Sequence, residues 1–121
     1  MRYFYDSYSV IEYINNNTKF VPYFEENNGI LTIANVMEVY YSSLLETGIE
    51  KANIVIDKLW PLIVTPPKET VKKAMEFRMK HKKRKLSYAD CLGYILAQEM
   101  KIKFLTGDKE FKDLPNVEFV K

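Results

Sequence analysis

Arg2-Tyr3-Phe4-Tyr5-Asp6-Ser7 is the stretch that decides the fold. Aromatic residues favour an extended strand, and this one ends abruptly at an acid and a hydroxyl, both good helix caps. Val10, Ile11, Tyr13 and Ile14 follow at helical spacing until Asn15-Asn16-Asn17 stops them. A strand that feeds straight into a helix is the opening move of an α/β unit. Near the other end, Phe104-Leu105 runs into Thr106-Gly107-Asp108 in the same way.

The residues between these two points repeat the alternation. Lys19 to Glu26 reads as a short helix with Pro22 near its start, and Asn27-Asn28-Gly29 as a turn before the brief strand Ile30-Leu31. Thr32 caps a helix whose apolar residues are Ile33, Val36, Met37, Tyr40, Tyr41, Leu44 and Leu45, stopped by Gly48. Ile49 to Leu59 is a further helix. Leu62-Ile63-Val64 reads as a strand closed by Pro66-Pro67, and Lys68 to about Lys82 as a helix with Val71, Met75 and Met79 inward. Ser87 caps a helix with Leu92, Ile95 and Leu96 inward, and Val117 to Val120 is a last strand at an edge. Strands alternating with helices predict a mainly parallel sheet between helical layers. At 121 residues without linkers or repeats, residues 1–121 are expected to form one domain.

No apolar run approaches the roughly 20 residues that span a bilayer, so no membrane partner is expected. Cys91 is the one cysteine, which excludes an intrachain disulfide and predicts a reducing, cytoplasmic setting; it reads as a packing residue. The single His81 argues against a histidine-rich zinc site. Net charge is only +2, but 9 of the 18 basic residues lie between Lys68 and Lys85. That run is either a solvated helix face or a surface for a phosphate backbone.

Asp6, Glu38, Asp90 and Asp108 carry the chemistry. Asp6 and Asp108 follow strands directly, and ligands of open α/β sheets bind beyond the carboxyl ends of the strands. Glu38 borders the apolar stripe of its helix, and Asp90 lies in the first turn of another. Taken singly, each has a structural explanation; Ser87 with Asp90, for example, makes a capping box worth about 1 kcal/mol. Taken together, they repel. Two carboxylates about 4 Å apart oppose each other by roughly 4 kcal/mol at an effective dielectric near 20. A hard divalent cation, Mg²⁺ or Mn²⁺, makes such a set tolerable, and some of the four would then hold water of the ion's shell.

These residues stand in motifs that resemble the PIN-domain family, especially the small VapC-like toxin ribonucleases. Asp6-Ser7-Tyr8-Ser9-Val10-Ile11-Glu12-Tyr13 resembles the opening motif of an acid, a hydroxyl and an apolar helix. Thr32-Ile33-Ala34-Asn35-Val36-Met37-Glu38 resembles the second, Ser87-Tyr88-Ala89-Asp90-Cys91-Leu92 the third, and Leu105-Thr106-Gly107-Asp108-Lys109-Glu110-Phe111 the fourth. The resemblance covers nearly the whole chain. It implies a three-layer α/β/α sandwich and an Mg²⁺- or Mn²⁺-dependent endoribonuclease. Asp6, Glu38, Asp90 and Asp108 match the family's metal and catalytic acids, Glu110 its variable fifth acid, and Ser7 and Thr106 its supporting polar residues. Tyr8 departs from the pattern, since the family more often has a small Ser or Asn there.

The expected reaction is in-line attack of water on an RNA phosphodiester, and the resemblance implies products with a 5′-phosphate and a 3′-hydroxyl. Lys82, Lys83 and Arg84, just before Ser87, are expected to guide the RNA backbone. The resemblance also implies an antitoxin partner and a homodimer. Surplus apolar surface on Tyr3, Phe4, Tyr5 and the first two helices points to a homodimer as well. Two other readings compete: a PIN-like module that binds RNA or protein without cutting, and a response-regulator receiver. The receiver lacks its phosphoacceptor position, because Asp57 lies within a helical pattern.

Overall fold

The computed structural model describes residues 1–121 throughout. Its centre is a four-stranded sheet in the order β2-β1-β3-β4, with β1 at Arg2–Tyr5, β2 at Asn28–Ile30, β3 at Lys103–Thr106 and β4 at Val117–Phe119. All three pairings are parallel. Helices α1 (Ser7–Ile14), α2 (Val21–Glu25), α3 (Ile33–Thr47), α4 (Ile49–Leu59), α5 (Lys68–Lys80) and α6 (Tyr88–Glu99) flank it. No helix is long and apolar enough to cross a membrane.

Alternation along β1 builds two helical layers on one strand, because successive side chains point to opposite faces. Tyr3 meets Tyr23 edge-on, and Tyr5 stacks on Phe24 of α2 at 4.0 Å between ring centroids. Phe24 in turn stacks on Tyr13 of α1. Phe4 faces the other way, stacked on Phe104 of β3, which meets Tyr94 of α6 edge-on. Phe77 of α5 completes that side against Tyr94. Gly93 lets α6 approach the sheet: a Cβ there would lie 2.3 Å from the Phe4 ring. The result is the expected α/β/α sandwich with a central parallel sheet.

Several local expectations need correction. β2 starts at Asn28 and includes Gly29, which reads as turn, because β1 supplies backbone partners that override a weak local preference. Leu62-Ile63-Val64 forms only an isolated bridge from Ile63 to Leu31, since a 3-10 turn over Trp60–Leu62 curls the chain up to its edge. The short second helix is split into a 3-10 turn at Thr18–Phe20 and α2. On α5 Met75 packs against the core as expected and Phe77 joins it, but the fully buried residues are Thr70 and Ala74, while Val71 and Met79 are exposed. The Thr70 hydroxyl donates to Glu99 of α6, so a polar group faces inward with its hydrogen bond satisfied. On α3 the buried residues are Asn35, Val36, Val39 and Ser43, whereas Ile33, Met37, Tyr41 and Leu45 form an exposed stripe. Tyr3, Phe4 and Tyr5 are all buried within the chain, so they supply no surplus apolar surface for a partner.

Candidate active site

The chain leaves β1 for β2 on one side and returns with β3 on the other, so β1 and β3 border the point where strand order reverses. A crevice opens there beyond the carboxyl ends of the strands. Tyr5 pairs with Leu105 in register, which sets Asp6 beside Thr106 and brings Asp108 to the same end of the sheet. The Asp6 N–H donates to the Leu105 carbonyl at 3.3 Å, continuing the ladder into the acid itself.

Three of the four acids begin helical turns, and capping orients them. Asp6 caps α1, its Oδ1 accepting from the Ser9 N–H at 2.7 Å. Asp90 accepts from the Ser87 N–H at 2.9 Å, while its own N–H donates to the Ser87 Oγ. Asp108 caps the 3-10 turn Lys109–Phe111 and accepts from the Glu110 N–H at 3.0 Å. The structural reading of each residue is therefore realised, and it fixes the carboxylates at helix starts facing the crevice.

Thr106 joins two of them. Its buried hydroxyl accepts from the Asp108 N–H at 3.0 Å and helps to stabilise the ionised Asp6 carboxylate. Ser7 serves Glu38: its hydroxyl donates to Glu38 Oε1 at 2.5 Å. Sequence reasoning missed the residue behind that contact. Asn35 is 1% exposed; its Nδ2 donates to the Ser7 Oγ at 3.1 Å, and its Oδ1 accepts from both the N–H and the hydroxyl of Thr32. The signal was present as a capping-box variant, Thr32 followed three residues later by an amide, itself three residues before Glu38 on the same helix face. Ser9, also missed, is buried and donates from its hydroxyl to the Leu105 carbonyl.

Electrostatics ties the four acids together. Burial pushes the Asp6 carboxyl up to about 7, with the Asp90 charge adding to the rise. Asp90 is pushed up to about 6, again mainly by burial, with Glu38 and Asp108 contributing. No ion pair of the chain includes any of the four. As the side chains stand, however, no three acids or other ligating groups close into a ready-made clasp for an ion. Mg²⁺ does not require one, since it keeps several waters and takes one or two carboxylates directly. An all-oxygen donor set with uncompensated negative charge, one carboxylate of it fully buried, fits such a cation.

The remaining candidates divide. Lys82 and Lys83 are exposed in the turn after α5. Arg84 is engaged: it makes a two-pronged contact with Asp113 at 2.9 and 3.0 Å and donates to the Glu110 carbonyl at 2.6 Å. It braces the segment entering α6 against the segment leaving Asp108. Glu110 contributes its N–H to Asp108, and its charge bears on Arg84. Burial pushes the Cys91 thiol up to about 11, consistent with packing rather than reactivity.

Comparison with known proteins agrees with the architecture. A toxin–antitoxin complex from Klebsiella pneumoniae contains a chain similar to this one at a TM-score of 0.74 and 15% identity, covering 95% of this chain and 94% of that one. VapBC2 from Rickettsia felis, bound to a promoter DNA fragment, is similar at a TM-score of 0.73 and 16% identity, covering 99% and 98%. FitAcB from Neisseria gonorrhoeae is similar at 0.66 and 16%, covering 98% and 96%. At such identities these likenesses speak for the fold alone. None of the curated proteins compared matches the sequence significantly. The profile described as PIN domain matches residues 4–117, a span that takes in all four acids and both strands bordering the crevice, and the chain belongs to the PIN domain family.

Proposed function

We propose that the chain is a divalent-metal-dependent endoribonuclease, the toxin of a VapC-like toxin–antitoxin pair. The observation that carries the reading is the crevice beyond β1 and β3. Asp6, Glu38, Asp90 and Asp108 influence one another's charge there, and no lysine or arginine pairs with them. Mg²⁺ or Mn²⁺, held by these carboxylates directly or through water, supplies positive charge that eases deprotonation of water near neutral pH and offsets charge gathering on phosphoryl oxygens. The chain's own part is positioning. The Ser9 N–H holds Asp6, the Thr106 hydroxyl holds the turn that carries Asp108, the Ser87 N–H holds Asp90, and the Thr32–Asn35–Ser7 relay holds Glu38. Lys82 and Lys83 attract the RNA backbone, while Arg84 acts through the brace it forms.

An antitoxin partner is part of the reading, because the similar solved structures include toxin–antitoxin complexes. A cavity of about 970 Å³ between α1, α2 and α4, lined by Tyr13, Ile14, Phe24, Val55 and Leu59 among others, offers apolar surface to such a partner. The setting proposed is the cytoplasm and the assembly a homodimer.

Incubating labelled RNA with the purified protein tests the core claim. Cleavage should require Mg²⁺ or Mn²⁺, stop with chelator, and be lost in Asp6→Asn and Asp90→Asn. Equal cleavage by these variants would refute it. A second reading is a PIN-like module that binds without cutting. RNA binding without metal uptake in an Mn²⁺ titration would select that one.

A further inference from the structure

Tyr8 stands in the first turn of α1, two residues beyond Asp6, and remains 44% exposed. Its ring lies over Gly107, at the turn that carries Asp108: a Cβ on Gly107 would sit 2.5 Å from Tyr8 Cε1 and 2.8 Å from the Val120 carbonyl oxygen. Phe20 supports the ring at a tilt, 6.4 Å between centroids. The phenol lies within reach of the charges of Glu12, Asp108 and Asp6, in that order of strength. The hydroxyls of Tyr5, Tyr13, Tyr23, Tyr40 and Tyr94 each donate to a protein group, but that of Tyr8 does not. Tyr88, another exposed tyrosine near an acid, has Arg78 over its ring at 4.5 Å.

We propose that Tyr8 determines specificity at the acidic crevice by stacking its open ring on one unpaired base of the RNA, next to the phosphate that reaches Asp6 and Asp108. This rests on the ribonuclease reading and deepens it. A ring backed by Gly107 and Phe20 is held in place, so stacking on it orders little that is not already ordered. The carboxylates around it repel a bare phosphate but not a neutral base, so the base is the part of a nucleotide that suits this wall. Bases in a duplex are already stacked on one another, and the proposal therefore selects single-stranded segments, loops or bulges.

The test measures binding in the Asp90→Asn protein, which is expected not to cut RNA and keeps Tyr8 with its supports Gly107 and Phe20. Fluorescent single-stranded oligoribonucleotides are titrated by anisotropy, including a series in which one abasic nucleotide is moved along the chain. Tyr8→Ala and the bulky but non-aromatic Tyr8→Leu should weaken binding about 5- to 150-fold, the range for loss of one base–aromatic stack, and Tyr8→Phe should not. At one position the abasic nucleotide should cost the tyrosine protein that same factor and cost Tyr8→Leu almost nothing. Equal sensitivity of both proteins to every abasic position, or unchanged binding by Tyr8→Leu, overturns the proposal while the ribonuclease reading stands. Failure of the wild-type protein to bind or cut any RNA overturns both.

Discussion

Asp6 is the residue at which folding and function oppose each other. Its carboxyl is raised to about 7 in the folded protein, against an ordinary value near 3.8 that the unfolded chain recovers. Between roughly pH 4 and 7 the folded, metal-free protein therefore binds a proton that the unfolded chain does not, and stability falls as pH rises, by up to about 1.4 kcal/mol per pH unit. The contribution is fully present below pH 4 and gone above 7. Asp90, raised to about 6, acts in the same direction over a narrower window. Thermal melts in chelator should thus show the melting temperature dropping from pH 5 to pH 8. Asp6→Asn should flatten that slope, and Mn²⁺ should raise the wild-type melting temperature at pH 8 but not the variant's. A slope unaltered in Asp6→Asn would mean that Asp6 is not the group responsible. Asn35 allows a second prediction at this scale. Asn35→Ala leaves the buried Thr32 N–H without its acceptor and the Ser7 hydroxyl without its donor. It should cost about 1–3 kcal/mol in denaturant unfolding and weaken Mn²⁺ uptake through Glu38. A loss under about 0.5 kcal/mol would show the relay to be dispensable.

Among the elements, α6 carries Asp90 to the crevice and depends on its closeness to β1. Gly93→Ala improves helix propensity by up to about 1 kcal/mol, yet its Cβ would lie 2.3 Å from the Phe4 ring. Overpacking of this kind costs about 1–3 kcal/mol, so a net loss of stability is expected, and Phe4→Leu should relieve it in the double variant. Additive losses in that cycle would count against the contact. The segment joining α5 to α6 separates two roles by exposure. Lys82→Ala with Lys83→Ala should flatten the salt dependence of RNA binding by about one unit of slope for each phosphate contact removed, and leave the melting temperature unchanged. Arg84→Ala should lower the melting temperature, because it releases Asp113 and the Glu110 carbonyl. Reversal of these two outcomes would exchange the assignments. The same elements show how far a pattern can be read. Helical spacing in α3 and α5 gives the period but not the phase, because apolar residues stand on more than one face. Contact with the sheet and with α6 selected Val36 and Val39 over Met37 and Tyr41, and Thr70 and Ala74 over Val71 and Met79.

At the scale of the whole molecule, the exposed stripe Ile33, Met37, Tyr41 and Leu45 runs along α3 from the end that carries Glu38. For the proposed homodimer it replaces the buried β1 aromatics as the candidate surface. Light scattering at micromolar concentration should report a dimer that Tyr41→Glu with Leu45→Glu converts to monomer; a wild-type monomer would remove the proposal. Alternation of strand and helix, the acid after each of two strands, and the capping residues were legible in the sequence, because caps and strand ends are local and act within three or four residues. That order of elements determined the layered α/β architecture and the sheet edge on which Asp6 and Asp108 emerge. Tertiary structure alone decided which helix faces turn inward, that Asn35 stands behind Ser7 and Glu38, that Arg84 is a brace, and that Tyr8 closes over Gly107. Each of these depends on groups distant in the chain meeting in space, and no local periodicity encodes a meeting of that kind.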